Sequence, residues 1–354
     1  MYALLRPLLF SMSPTSAHAA GNAALGVLER VGPLRTVASG LMADRDPRSR
    51  VRAMGLDFPS PVGLAGGFDK NAARPKALAS LGFGFLELGT VTARAQEPNP
   101  EPNLFRLPAD RALINRLGFP NEGAAAVVAR FVAGGGRSAA GVPVGFSIGK
   151  SRSVDVDEDP EPVVADYLGS FRAVAPVSDF VVINVSSPNT KNLRALQGPE
   201  LARALLGALA RENAGARPLL LKIAPDLSNE DLDALLDVVG EVGLTGVVAT
   251  NTTIRREGLS TPSAEVEAIG AGGLSGPPLR VRALEVVSRV RRKLGRAATI
   301  IGVGGVSSGE DARAMLDAGA NLVQIYTAFI YRGPTAARDI ERERLAAHEA
   351  HRRV

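Results

Sequence analysis

The chain has no cysteine among its 354 residues. Disulfides, thiolate metal sites, iron–sulfur clusters and a cysteine nucleophile or base are thereby excluded. Such a composition suits a cytoplasmic redox compartment without requiring one. Histidine is scarce, with three in all. His348 and His351 stand three apart on a charged final helix, which reads as a solvated face, so no metal site is expected. No apolar run reaches about 18 residues, so no bilayer-spanning helix is expected. Tyr2 to Phe10, followed by Ala17-His18-Ala19, has the outline of a signal peptide. Arg6 and Pro7 break its short apolar stretch, which argues against cleavage.

Apolar material is ample: 45% of residues are hydrophobic and 22% charged, the balance of an ordinary globular chain with a large core. An α/β barrel of usual size takes up roughly 250 residues as one domain. The net charge of +5 is unevenly placed. Arginines 6, 30, 35, 45, 48, 50 and 52 outnumber Glu29, Asp44 and Asp46 in the first 52 residues. A basic, apolar amino-terminal segment suggests peripheral contact with anionic membrane lipid. Leu, Ala and Gly dilute these arginines, so no nucleic-acid partner is expected.

From residue 60 a pattern repeats: a short apolar run, a glycine-rich or polar end, then an amphipathic helix. The expected strands are Val62–Ala65, Phe85–Leu88, Val142–Ile148, Phe180–Val185, Leu219–Ile223, Gly246–Ala249, Thr299–Val303 and Leu322–Tyr326. Ser228 and Asp231 make a capping box before Leu232, Leu235, Leu236 and Val239; Ser307 and Glu310 suggest another, with Gly319 closing that helix. Leu201, Leu205 and Leu209 line one face of a third. The strands are continuously apolar, as in a parallel sheet covered on both faces. Eight such units point to an α/β fold, a (β/α)8 TIM barrel, although an open doubly wound sheet shares these local patterns. Val51–Pro61 reads as a hairpin closing the barrel bottom. Residues 1–45, broken by Pro14 and Gly32-Pro33, read as a small helical appendage outside the repeat, with the barrel domain spanning 46–354.

In a parallel barrel the site forms at the carboxyl ends of the strands. Here those ends carry small residues, amides, hydroxyls and lysines: Ala65-Gly66-Gly67-Phe68-Asp69-Lys70, Gly89-Thr90, Ser147-Ile148-Gly149-Lys150, Asn184 to Thr190, Lys222, Thr250-Asn251-Thr252, Gly304-Gly305 and Tyr326-Thr327. Asparagines grip a planar polar ligand from its edges, and glycines near the last two strands admit a phosphate. Taken singly, Lys70 or Lys222 is equally a buried ion pair, and Asn184 and Asn189 equally turn caps. Gly302 to Ser307 fails the dinucleotide fingerprint, and GFSIGKS (145–151) is one residue short of a phosphate loop.

Nine strings in register resemble the dihydroorotate dehydrogenase family: AGGFDK, ELGTVT, INRLGF (Ile114–Phe119), INVSSPNT, KIAPDLS, ATNTT, GGLSG (Gly272–Gly276), IGVGG and LVQIYT. The resemblance implies FMN and dihydroorotate as ligands, with orotate as product. It implies Ser187 as the base that takes the C5 proton while hydride leaves C6, with Thr190 and Phe119 providing its relay. It implies a substrate clamp of Lys70, Asn115, Asn184, Asn189 and Asn251, with Arg116, Leu117, Gly118, Phe119 and Thr252 beside it. Lys222 resembles the lysine beside the flavin ring. Ala65, Gly66, Gly67, Phe68, Asp69, Thr90, Ser147, Asn184, Thr250, Gly276, Gly304, Tyr326 and Thr327 fall on flavin-binding positions. Ser147 departs from the family, which commonly has asparagine there.

The amino-terminal helices resemble those of the membrane-associated, quinone-reducing class. That implies a peripheral place on the cytoplasmic side of the cell membrane and a membrane quinone as partner. His18, Arg106 and Tyr326 would stand at the inner end of a quinone tunnel, with Leu4, Leu5, Leu8 and Leu9 facing lipid or quinone. A 2-hydroxy-acid oxidase would need a histidine at a strand end, and none of the three is so placed. A soluble dihydroorotate dehydrogenase would use a cysteine at the Ser187 position. A non-catalytic flavin- or phosphate-binding protein at the membrane surface would bind FMN without reacting.

Overall fold

The computed structural model describes residues 2–43, 46–157 and 159–352. Eight parallel strands close into a barrel: β1 Val62–Leu64, β2 Leu86–Val91, β3 Val144–Ile148, β4 Phe180–Asn184, β5 Leu219–Ile223, β6 Gly246–Ala249, β7 Thr299–Val303 and β8 Leu322–Ile325. They run around the ring in chain order, and β8 pairs with β1 to close it. The expected (β/α)8 barrel is the fold, and closure excludes the open sheet.

Period-two alternation explains the continuous apolar runs. Leu219, Leu221, Leu86, Leu88, Val323 and Ile325 point outward under the helices. Leu220, Val182, Val248, Ile301 and Leu322 point inward and fill the barrel floor with Phe58, Phe85 and Phe180. The expected hairpin pairs Val51–Ala53 with Leu56–Phe58 and sets the Phe58 ring edge-on to Phe85 at 5.4 Å. Glycine makes room for these rings: a Cβ at Gly63 would sit 2.3 Å from Phe85, and one at Gly145 2.1 Å from Phe180.

The amino-terminal residues form three helices, α1 Tyr2–Ser11, α2 Pro14–Arg30 and α3 Gly32–Met42. Ser13 caps α2 by accepting from the Ser16 amide, with Pro14 in the first turn. Glu29 ties α2 to the barrel, accepting from the Ala77 amide at 2.8 Å and pairing with Lys76 at 3.4 Å. Tyr2 ties α1 down: its hydroxyl donates to the Ile330 carbonyl at 2.6 Å, and its ring fills the notch left by Gly333. Leu5, Leu8, Val37 and Leu41 are each more than half exposed, whereas Leu9 is partly buried. The side chains of Leu4, His348 and His351 lie outside the described residues.

Two features differ from the sequence reading. The second capping box sits one residue later: Ser308 accepts from the Asp311 amide, and Ser307 instead donates to the Asp311 carboxylate. Neighbouring serines leave the register ambiguous until the helix Gly309–Asp317 is seen; Gly319 follows it with φ +116°. The other is an antiparallel sheet of Leu104–Leu107, Ala112–Asn115 and Gly273–Ser275, which roofs the barrel mouth and was not legible as strands. These strands have three or four residues and interrupt the βα repeat.

Candidate functional site

A cavity opens at the carboxyl ends of the barrel strands, with an empty volume of about 1230 Å³ counted to its open mouth. Its floor is a polar layer made by the same alternation that fills the barrel. Glu87, Ser147, Lys222 and Gln324 each lie between outward-facing apolar neighbours and so point inward. Lys222 Nζ donates to Glu87 Oε1 at 3.0 Å, and Gln324 Nε2 donates to Glu87 Oε2 at 2.8 Å. Glu87 is 0% exposed and Lys222 5%. A Cβ at Gly66 would meet Glu87 Oε1 at 2.2 Å, so only glycine lets the chain after β1 pass over this carboxylate.

Above that floor the amides form one network. Asn184 donates to Thr90 Oγ1 at 2.9 Å, and its Oδ1 accepts from the Ser186 hydroxyl at 2.9 Å. Asn251 donates to Ser186 Oγ at 2.9 Å. Asn189 donates to Asn115 Oδ1 at 3.3 Å, and its own amide N–H to Ser187 Oγ at 3.2 Å. Ser187, 5% exposed, lies on the cavity wall with Leu117, Gly118 and Phe119. Thr190 Oγ1 is buried and has no hydrogen-bond partner among the described residues. Lys70 Nζ donates to the Gly67 carbonyl at 2.6 Å. Desolvation pushes its ammonium down to about 8, against the opposing charge of Asp69.

The remaining expected lining residues come together as well: Ala65, Gly66, Gly67 and Thr90 near β1 and β2, and Thr250 and Thr252 after β6. Gly276, Gly304, Tyr326 and Thr327 line the end beneath the roof sheet. There Gly276, Gly304 and Gly305 all have positive φ, and a Cβ on Gly305 would meet the Arg280 backbone at 2.7 Å.

Besides Thr190, six expected site positions do not line this cavity, two of which, His18 and Arg106, were expected at the quinone tunnel. Ser147 points inward but bonds Thr90 Oγ1 at 2.9 Å, so it supports the wall from behind. Asp69 braces the turn that leads into the helix Pro75–Ser80, accepting from the Ala73 and Arg74 amides. Arg116 turns away to the Ile269 and Ala271 carbonyls, with its guanidinium over Phe105. Phe68 packs between His18 and Tyr326, at 6.2 Å and 5.7 Å between ring centroids. His18 therefore reaches the wall through Phe68, and burial holds its imidazole below its usual range with Lys70 adding to the effect. Arg106 caps the end of α1 through the Leu9, Phe10 and Met12 carbonyls. Sequence reasoning did not single out Glu87, Gln324, Arg111, Ser275, Tyr331 and Arg332; the first lies beneath the cavity and the rest line it.

Residues 49–347 match the family described as Dihydroorotate dehydrogenase. The chain belongs to the dihydroorotate dehydrogenase family. A Rhodococcus opacus protein named "Dihydroorotate dehydrogenase (quinone)" is 50% identical over 342 residues, covering 97% of this chain and 93% of its own. A Clavibacter michiganensis protein of the same name is 51% identical, covering 96% and 97%. The crystal structure of Eimeria tenella DHODH in complex with ferulenol superposes with a TM-score of 0.82 at 34% identity, covering 96% of this chain and 92% of that one.

Dihydroorotate dehydrogenases are flavin-dependent, and the cavity fits such a group on its own terms. Gln324 Oε1 is buried at the cavity floor without a partner among the described residues, an acceptor left for a ligand donor. The opposite end offers bare backbone at Gly276, Gly304 and Gly305.

Proposed function

We propose that this chain oxidises (S)-dihydroorotate to orotate in the de novo synthesis of UMP, with FMN as its redox group and a membrane quinone as electron acceptor. The observation that carries the reading is the convergence of Ser187, Lys70 and four asparagines on one cavity above a buried lysine, in a chain half-identical to quinone-type relatives along nearly its whole length.

Bound flavin supplies the hydride acceptor. Lys222 stands at the cavity floor to meet negative charge gained on reduction. Gly276, Gly304 and Thr327, at the opposite end of the cavity, would hold the flavin's phosphate. Asn115, Asn184, Asn189 and Asn251 grip the edges of the planar substrate, and Lys70 meets its carboxylate. Ser187 Oγ takes the C5 proton. Serine is a weak base, so it needs a dry setting and an onward acceptor. Burial provides the first, and the unpartnered Thr190 hydroxyl, three residues further along the same loop, is the group we assign to the second.

The exposed leucines and valines of α1 and α3 support a peripheral position on the cytoplasmic face of the membrane, with residues 1–45 as the quinone-side unit and 46–354 as the catalytic barrel. No helix among the described residues is long and apolar enough to cross a bilayer. His18 and Tyr326, joined through Phe68, are the groups we assign to the inner end of the quinone path.

Anaerobic absorbance tests the reading directly. A flavin band should bleach on adding dihydroorotate and return on adding a quinone. A band that dihydroorotate leaves unchanged rejects the substrate, and absence of any band after reconstitution with FMN rejects the cofactor.

The Lys70 ammonium sets a pH dependence. A bound carboxylate favours the charged lysine, so binding raises its pKa above the free value of about 8. Orotate affinity should therefore be full below pH 8 and fall between the free and bound pKa values, by up to about tenfold per pH unit. Titrations from pH 7 to 9 should show this for the wild type and a flat profile for Lys70→Met. A wild-type profile as flat as the variant's removes Lys70 from the clamp.

A further inference from the structure

We propose that Arg194 is a positioning residue, a clasp that closes the loop carrying Ser187 and ties it to the strand end carrying Asn251. The proposal rests on the reading of Ser187 as the base. Arg194 lies within the short helical segment Leu193–Gln197 that follows the loop, and it does not line the cavity.

Its guanidinium joins three strand ends. Nε donates to the Ser186 carbonyl after β4 at 3.0 Å. Nη1 donates to Asp226 Oδ2 after β5 at 2.8 Å, and Nη2 to the Thr252 carbonyl after β6 at 3.0 Å. Asp226 is itself fixed, accepting from the Thr253 hydroxyl and from the Ile254 amide at 3.1 Å. Gln197 braces the same segment by accepting from the Ala224 amide at 2.9 Å.

Between Ser186 and Arg194 the loop has weaker ties. The Asn189 side chain reaches Asn115 at 3.3 Å, and the Leu193 amide reaches the Thr190 carbonyl at 3.2 Å. The shortest link between the loop's two ends is therefore the one from Arg194 to the residue preceding Ser187. Three acceptors spread around one plane match a guanidinium fork, whereas an ammonium cannot span them in that geometry. A serine base acts only where its Oγ is held against the substrate carbon, and a displacement near 1 Å can slow a reaction on the order of 100-fold.

The test uses the flavin-loaded full chain in anaerobic single-turnover reduction by dihydroorotate. Arg194→Ala should reduce about 10- to 100-fold more slowly than wild type. Millimolar guanidinium should restore the rate several-fold, because the Arg194 side chain is 23% exposed and the gap admits it. A merely structural arginine predicts a lowered melting temperature and no rescue, and that result overturns the proposal. Equal rates for Arg194→Ala and wild type overturn it too. Should the alanine variant not fold, Arg194→Lys takes its place, with the same slowing expected and a wild-type rate overturning the clasp. A wild-type protein that dihydroorotate does not bleach overturns the functional reading, and the proposal with it; bleaching of the wild type keeps the two apart.

Discussion

Ser187→Ala is expected to slow flavin reduction by dihydroorotate at least about 100-fold, and up to about 10,000-fold, the range general-base catalysis spans. Orotate binding should change little. The substitution deletes one hydroxyl that accepts a single hydrogen bond, from the part-buried Asn189 amide at 3.2 Å, a loss of about 0.5–1.5 kcal/mol. Asn184 and Asn251 are held through Ser186, so their grip does not depend on the deleted group. Stopped-flow absorbance gives the reduction rate, and an equilibrium titration with orotate gives the affinity. Near-normal reduction in the variant would remove Ser187 from the base role. A parallel fall in affinity would mean that the hydroxyl shapes the pocket rather than moves a proton.

The barrel strands were legible because each is an apolar run closed by glycine or polar residues, and their ends named most of the cavity wall. What stayed hidden shares one cause: a side chain inside a strand shows its direction only once the register is known. Glu87 and Gln324 stood inside recognised strings, yet nothing in ELGTVT or LVQIYT says that they face each other across the barrel at 2.8 Å. Ser147 has the inward register expected of a ligand-binding residue, but its short side chain ends at Thr90. Arg116 and Asp69 stand next to true lining residues, and chain direction turns them the other way. The roof sheet needs a partner, Gly273–Ser275, about 160 residues further along the chain, a pairing that local periodicity does not encode.

Glu87→Gln should destabilise the protein by about 3–5 kcal/mol, the penalty for breaking a buried ion pair from one side. The Glu87 carboxylate is the ion-pair partner of Lys222 and also orients Gln324. Glutamine keeps the shape but leaves the Lys222 ammonium facing a neutral amide in a layer that excludes water. Removing both charges is a different experiment. Glu87→Gln with Lys222→Met should recover much of the lost stability, because no charge is left without a partner. Urea denaturation of the two single variants and the double variant closes the cycle, and the coupling should exceed about 1 kcal/mol for groups in direct contact. The double variant should nonetheless lack the cation assigned to the reduced flavin and be reduced slowly despite its stability. Its slow turnover would then reflect the missing charge rather than a damaged fold. A Glu87→Gln variant within about 0.5 kcal/mol of wild type would mean that Lys222 finds its stabilisation elsewhere and that the carboxylate is not its essential partner.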